Sequence, residues 1–329
     1  MDLPRVTVIT PSFNQADFLE QTIQSVLSQN YPNLEYMIVD GGSTDGSVEI
    51  IRKYGDRLAW WVSEMDRGQA EAINKGFARA TGELVAWLNS DDLFQPGSIL
   101  AAVEAFRSHP EAGIVYGDVL SINAAGEPIN LMKFTPYTLQ DLMAFKIISQ
   151  PGAMMRRAVL QQAGDLDLRF HYMLDHHLWL RMVRLAPMVY LPRQQAAARF
   201  HPAAKNLAQA PKFGEEALLV AAWLAAQPEF GPDYHPRKVW GGAYRVNGWY
   251  QVEGDHPAAA LRSYARSFAN DPGAALADWR RMLYAGLALL GLARLKGVYY
   301  AARGQIRRRT RPEIYGERHA TRQDPPRHS

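Results

Sequence analysis

The sequence predicts an α/β fold: a mostly parallel, Rossmann-like sheet with helices on both faces, followed by a helical extension. Three observations predict it. Short β-branched or apolar runs alternate with segments of helical spacing over roughly the first 120 residues. Those runs are almost continuously apolar, as in strands covered on both faces. Several of them end in polar, partly acidic turns, the place where open α/β sheets bind ligands.

The elements follow in order. Arg5 to Thr10 is β-branched and predicts a strand. Phe18, Leu19, Ile23, Val26 and Leu27 are spaced for a helix over 18–28. Tyr36–Asp40 predicts a second strand, 48–54 a short helix, and Ala59–Ser63 a third strand, with one of Trp60 and Trp61 in the core and the other on the surface. Residues 68–80 predict a helix with Asp66 as N-cap and Gln69 at the capping-box position. Leu84–Leu88 is a fourth strand, and Pro96 opens a helix over 97–108. Ile114–Tyr116 is a fifth strand. A hairpin over 118–134 turns at Ala125-Gly126. Ala153–Arg156, a helix over 175–185 and Met188–Tyr190 return to mixed α/β. Beyond about residue 206 only helices at 215–226 and 257–268 stand out. The expected division is a catalytic-type domain over 1–205, a helical extension over 206–304 and a basic tail over 305–329.

Composition narrows the chemistry. The 329 residues are 47% hydrophobic and 21% charged, which is ordinary globular usage. The chain has no cysteine, so disulfides, thiolate zinc sites, iron–sulfur clusters and cysteine nucleophiles are excluded. No basic and apolar leader precedes the first strand, which predicts no signal peptide and a cytoplasmic protein. The net charge of +3 conceals an asymmetry: residues 280–329 hold 12 Lys and Arg against 3 Asp and Glu, leaving −6 for the rest.

Three polar strand ends converge: Thr10-Pro-Ser-Phe-Asn14, Asp40-Gly-Gly-Ser-Thr-Asp-Gly-Ser47 and Asn89-Ser-Asp-Asp92. The second lacks both the dinucleotide spacing and the P-loop ending. A carboxylate at Asp40 would repel a pyrophosphate but accept a base N–H or ribose hydroxyl, so this edge suits a nucleoside. Asp91 and Asp92 are adjacent carboxylates that repel unless a cation or proton lies between them. Their oxygens suit Mg²⁺ or Mn²⁺ shared with substrate phosphates. Read alone, the pair is equally a helix cap or turn; with the other two strand ends, the metal reading leads.

Pro11-Ser-Phe-Asn14, Val39–Ser47, Ser63-Glu-Met-Asp-Arg-Gly68, Ala72-Ile-Asn-Lys-Gly76, Ala80-Thr-Gly-Glu83 and Leu88-Asn-Ser-Asp-Asp92 occur in an order and spacing that resembles the family 2 glycosyltransferases, nucleotide-sugar-dependent enzymes of GT-A fold. The resemblance covers residues 4–205. It implies inverting transfer of a sugar from a nucleoside diphosphate to a hydroxyl, in bacterial surface or extracellular polysaccharide synthesis. It further implies that Pro11, Ser12, Asn14, Asp40, Asn89 and Ser90 bind the nucleotide. Asp91 would bind the divalent cation, with Asp92 behind it and His201 as a further metal or phosphate contact. Arg67 and Lys75 would meet the diphosphate. Ser149–Arg157 resembles the acceptor-side segment, with Gln150 on that side. Leu174-Asp-His-His-Leu-Trp-Leu-Arg181 resembles the family's base-bearing helix, with Asp175 as general base; Asp175 also suits an N-cap. His176 and His177 either tune it or face solvent. Two positions depart from the family pattern: Asn89 and Leu174 stand where the family carries acids. A metal-dependent nucleotidyltransferase and a degenerate, non-catalytic carbohydrate-binding or assembly protein are the alternatives.

The most apolar run, Met282–Ala293, is too short to span a bilayer, for which about 20 residues are needed. With Lys296, Arg303 and Arg307 on one side of a helical wheel, the segment predicts contact with an anionic membrane surface, peripheral on the cytoplasmic face, and no nucleic-acid partner. The acceptor expected beside such a surface is a saccharide or lipid-linked molecule.

Overall fold

Apolar residues that alternate along the central strands divide between two faces, and this places the core on both sides of one sheet. The structure, a computed structural model, describes residues 3–292. Its strands are β1 (Val6–Ser12), β2 (Leu34–Asp40), β3 (Trp60–Ser63), β4 (Leu84–Trp87), β5 (Leu93–Phe94), β6 (Ile114–Asn123), β7 (Pro128–Met132), β8 (Ala153–Arg156) and β9 (Met188–Phe200). The helices are α1 (Ala16–Leu27), α2 (Ser47–Lys53), α3 (Gln69–Arg79), α4 (Ser98–Ser108), α5 (Leu139–Met143), α6 (Arg157–Ala163), α7 (Leu174–Val183), α8 (Lys205–Ala208), α9 (Ala210–Ala225), α10 (Pro236–Glu253), α11 (Pro257–Asn270), α12 (Pro272–Leu276) and α13 (Trp279–Leu289).

The sheet order is β3-β2-β1-β4-β8-β6-β9-β5, with β7 paired to β6. β3, β2, β1 and β4 run parallel; β8 is antiparallel to both β4 and β6, and β9 is parallel to β6. The carboxyl ends of β1, β2, β3, β4 and β9 therefore face the same edge. Ile9, Met37, Val39, Val85 and Trp87 enter one core cluster, and Val6, Val8, Tyr36, Ile38, Leu84 and Ala86 the other.

The helical region is not a bead on a string. Ala217, Val220, Ala221 and Leu224 of α9, with Val239, Ala243 and Val246 of α10, belong to the same cluster as Ile9 and Trp87. At Gly242 a Cβ would lie 2.1 Å from the Ala144 carbonyl oxygen, so glycine lets α10 close onto the end of α5.

Several local expectations change. The N-cap of α3 is Gly68, not Asp66; Asp66 instead accepts from the Gly68 N–H, and Gln69 makes no capping box. α4 starts at Ser98 behind left-handed Gly97, so Pro96 does not open it. α7 begins at Leu174, one residue before Asp175, and its N-cap position is Met173. Trp60 and Trp61 are both half-buried, one packed against each core cluster. β9 runs to Phe200, far beyond Tyr190. The apolar run near the C-terminus forms α13, beginning at Trp279, and Ala285 is its one buried residue. Ala293, Lys296, Arg303 and Arg307 lie outside the described residues.

Candidate active site

The parallel register sets Ser12 beside Asp40 and Asp40 beside Ser63. Asp40 is completely buried. Its carboxylate accepts from the Gly42 and Ser43 N–H groups at 3.1 and 2.8 Å, and from the Ser43 and Ser63 hydroxyls at 2.6 and 2.7 Å. Three of these four donors, from its own turn and from β3, lie on Oδ2 and one on Oδ1, so the carboxylate expected to read the nucleoside also braces the β2 turn. Asp66, whose Oδ1 accepts from the Gly68 N–H at 2.8 Å, stands nearby and lines the cavity. It lies against Gly41, where a Cβ would come within 2.8 Å of its Oδ2. Asn14, in the left-handed conformation that asparagine tolerates, accepts from the Thr44 N–H and so fastens the β1 turn to the β2 turn. Asp45 reaches back to the Ala16 N–H at the start of α1. Pro11 and Ser12 line the adjoining cavity, and the buried Ser12 hydroxyl has no partner among the described residues.

The turn after β4 is built around Asp92. Its Oδ1 accepts from the Arg199 N–H at 2.9 Å and its Oδ2 from the Asn89 amide at 3.2 Å. Burial, together with the charge of Asp91, pushes its carboxyl well above the usual range. Asn89 is well chosen here: an amide donates to Asp92, where a second carboxylate would repel it. The other end of that amide accepts from Gln69 at 2.6 Å, and Gln69 in turn accepts from Lys205 at 3.0 Å. Arg199 ties the turn together, donating to the Asp91 carbonyl, the Ala124 carbonyl and Gln21. β9 continues past Arg199 and delivers His201, whose Nε2 is 3.1 Å from Asp91 Oδ2. Ser90 and Asn89 line the cavity with both aspartates.

Asp175 lies in the first turn of α7, and its Oδ1 accepts from the His176 N–H at 2.7 Å. Burial raises its carboxyl to about 6, and the charge of Glu216 acts in the same direction. His176 and His177 do not face solvent. Burial lowers them to about 4 and about 3, so both are neutral packing residues. Leu174 packs in the main core and also lines the cavity. Gln150 donates to the Trp87 carbonyl at 2.7 Å, while its own Oε1 has no partner among the described residues.

One cavity of about 1710 Å³ joins these groups. Pro11, Ser12, Asn89, Asp91, Gln150 and Asp175 all line it, and residues of α10 close its far wall. Arg67 and Lys75 do not line it. Arg67 is exposed and paired with Glu71 at 2.8 Å, and Lys75 is paired with Glu64 at 2.8 Å. Lys205 lines the cavity, as does Arg199, and both feel the charge of Asp91; burial lowers the Lys205 ammonium group. Sequence reasoning missed Lys205, along with Phe13, Met65 and Asp66 at the mouth. The Arg67–Glu71 spacing of four was the readable sign that Arg67 is otherwise engaged.

Asp91 and His201 are the two groups that fit a divalent cation. Among the described residues no cluster of three or more His, Cys, Asp or Glu forms such a site. A cation here would therefore complete its shell with substrate oxygens and water, as Mg²⁺ and Mn²⁺ do on phosphates.

This fold and this edge define a glycosyltransferase of GT-A type. The model of glycosyl transferase family 2 matches residues 7–164. A glycosyltransferase of Mycobacterium tuberculosis is 31% identical over 185 residues, covering 54% of this chain and 68% of that protein. TuaG of Bacillus subtilis, a putative teichuronic acid biosynthesis glycosyltransferase, is 31% identical over 187 residues, covering 55% and 73%. The chain belongs to glycosyl transferase family 2. In fold it is similar to a Pyrobaculum calidifontis mannosyltransferase in complex with GDP-Man and Mn²⁺, with TM-score 0.59, 22% identity and coverage of 92% and 86%. It is also similar to residues 1–349 of S. aureus TarS in complex with UDP, with TM-score 0.56, 18% identity and coverage of 93% and 91%. It spans 54% of a longer TarS chain.

Proposed function

We propose that this glycosyltransferase moves a sugar, with inversion, from a nucleoside-diphosphate donor to a hydroxyl acceptor. The observation that carries the reading is that Asp91, beside His201, and Asp175 border one cavity large enough for donor and acceptor together. The acceptor oxygen bonds to the anomeric carbon as the bond from that carbon to the diphosphate breaks. The acceptor proton goes to Asp175, and the electron pair leaves on the diphosphate. A divalent cation held by Asp91 and His201 would neutralise that charge, with Lys205 as a second partner. Phe13 and Met65 offer apolar surface to the base, and Asp66 and Ser12 offer polar contacts to the nucleoside. The named role of TuaG supports surface polysaccharide as the product. Family membership removes the nucleotidyltransferase alternative.

The membrane belongs to the same proposal. Leu276 at the end of α12 and Trp279 and Leu283 in the first half of α13 are each more than half exposed, and Leu289, Leu290 and Leu292 are exposed at the end of α13. No helix among the described residues is long and apolar enough to cross a membrane. An anionic bilayer surface, with the basic segment of the sequence on its headgroups, suits such a face.

Thermal melting with UDP, GDP, ADP and CDP, each with Mn²⁺ or EDTA, tests the donor reading. One of them should stabilise the fold with Mn²⁺, by about 2.7 kcal/mol at a hundredfold excess over its Kd. No stabilisation by any of the four would overturn it.

A further inference from the structure

Glu216 is an acid that the transfer chemistry does not use, yet it is buried, at 6% exposure, in the second turn of α9. Its carboxylate takes three backbone donors from one stretch of chain. Oε1 accepts from the His171 N–H at 2.7 Å, and Oε2 from the Tyr172 and Met173 N–H groups at 2.7 and 2.8 Å. Those three residues lead directly into α7, the helix that begins at Leu174 and carries Asp175. α7 has no side-chain cap of its own. Of the three donors only Met173 stands at the N-cap position of α7, and His171 and Tyr172 lie just ahead of it; a carboxylate both satisfies these N–H groups and suits the neighbourhood of a helix N-terminus. The Tyr172 hydroxyl also bonds Gln209, so the same stretch is held at a second point by the segment just ahead of α9.

We infer that Glu216 is a positioning residue for the transfer reaction: from the helical extension, it fixes the 171–173 segment and so the direction in which Asp175 faces the cavity. The inference rests on Asp175 being the general base. It makes the helical extension a working part of the catalytic centre. It also places that part outside residues 7–164, the stretch the family model matches.

Two measurements on full-length Glu216→Gln test it. The first is hydrogen exchange, which needs no substrate. The amides of 171–173 should exchange about tenfold faster or more, while those of β1 and β4 keep their wild-type protection. The second uses UDP-GlcNAc and GDP-mannose with Mn²⁺ and follows nucleoside diphosphate released to water. Release should slow by about tenfold or more, as a small displacement of a catalytic group does, with nucleotide Kd unchanged within about twofold. Glu216→Ala should be slower still. Asp175→Asn is run beside them. If Asp175→Asn keeps wild-type release, the base assignment fails, and this inference with it. If Asp175→Asn is slow but Glu216→Gln keeps wild-type release and exchange, the base stands and the positioning role is wrong. A Glu216→Gln protein that weakens nucleotide binding as much as it slows release, with exchange faster throughout, also overturns it.

Discussion

Replacing Asp175 by Asn should make the protein slower and more stable at once. The amide keeps an oxygen for the His176 N–H, which Asp175 now holds at 2.7 Å. It cannot take a proton near neutral pH, and removing a general base costs about 10²–10⁴-fold in kcat. The stability effect follows from burial, which raises this carboxyl from its ordinary 3.8 to about 6. The native state then binds a proton more tightly than the unfolded chain. Stability from this group is fully present below about 3.8, falls as pH rises through that window, and is lost above about 6. A full shift of that size corresponds to about 3 kcal/mol. Asp175 keeps some opening to the cavity, so about 1–3 kcal/mol is the fair range. Asn carries no such cost. The variant's stability advantage should therefore widen between about pH 4.5 and about pH 8. Wild-type turnover should climb through about pH 6 as Asp175 ionises. Melting curves at the two pH values, with diphosphate release from the donor, read both effects. An Asn variant that turns over like wild type, or is less stable than wild type at the higher pH, would refute the reasoning.

Other expectations are briefer. Asp91→Ala should abolish the Mn²⁺-dependent stabilisation by nucleoside diphosphate while melting as a folded protein; full turnover in excess EDTA contradicts it. His201→Gln should weaken the Mn²⁺ dependence by at least the about 10–100-fold that even supporting residues of metal sites contribute. An unchanged Mn²⁺ titration would remove His201 from the site. Lys205→Ala should raise the diphosphate Kd by the worth of a charged hydrogen bond, about 1.5–3 kcal/mol, and a nucleoside lacking phosphates should bind as before. Trp279→Glu with Leu283→Glu should abolish flotation on phosphatidylglycerol vesicles and leave melting unchanged, because both side chains are exposed. These substitutions are cleaner than truncation from Asp278 onward, which would take from Arg245 its partner at 3.6 Å. Equal flotation of variant and wild type would end the membrane reading of this face.

The sheet was legible because its signals are local. Val6, Val8 and Ile9 alternate between two cores within one strand, and such a pattern survives without knowledge of any partner. α10 was not legible for the opposite reason. Gly241, Gly242 and Gly248 weaken its helical pattern, yet at Gly241, Gly242 and Gly248 a Cβ would meet Asp271, Ala144 and Tyr264 at 3.0 Å or less. The residues that hide the helix from view are those that let it pack. The length of β9 was hidden by Pro192, Arg193 and Gln194, which read as loop. The register shifts near Gly117 and Asp118 absorb them, and the strand goes on to place Arg199 and His201 at Asp91. At the site itself the strand-end residues were readable, but not how their bonding capacity is spent. The brace at Asp40 forms only when Ser63 arrives from the neighbouring strand and its own turn folds onto it. Glu216 carries no signal at all, because its three partners lie more than forty residues away. The strand-end turns of the site thus come from the first hundred residues, whereas Asp175, His201, Lys205 and Glu216 come from chain beyond the family match. On the proposed reading, Asp175 could be aimed as base, and Asp91 and His201 brought together for a cation, only once β9 has crossed the sheet and α9 has closed on α7. Local sequence patterns do not encode that long-range closure.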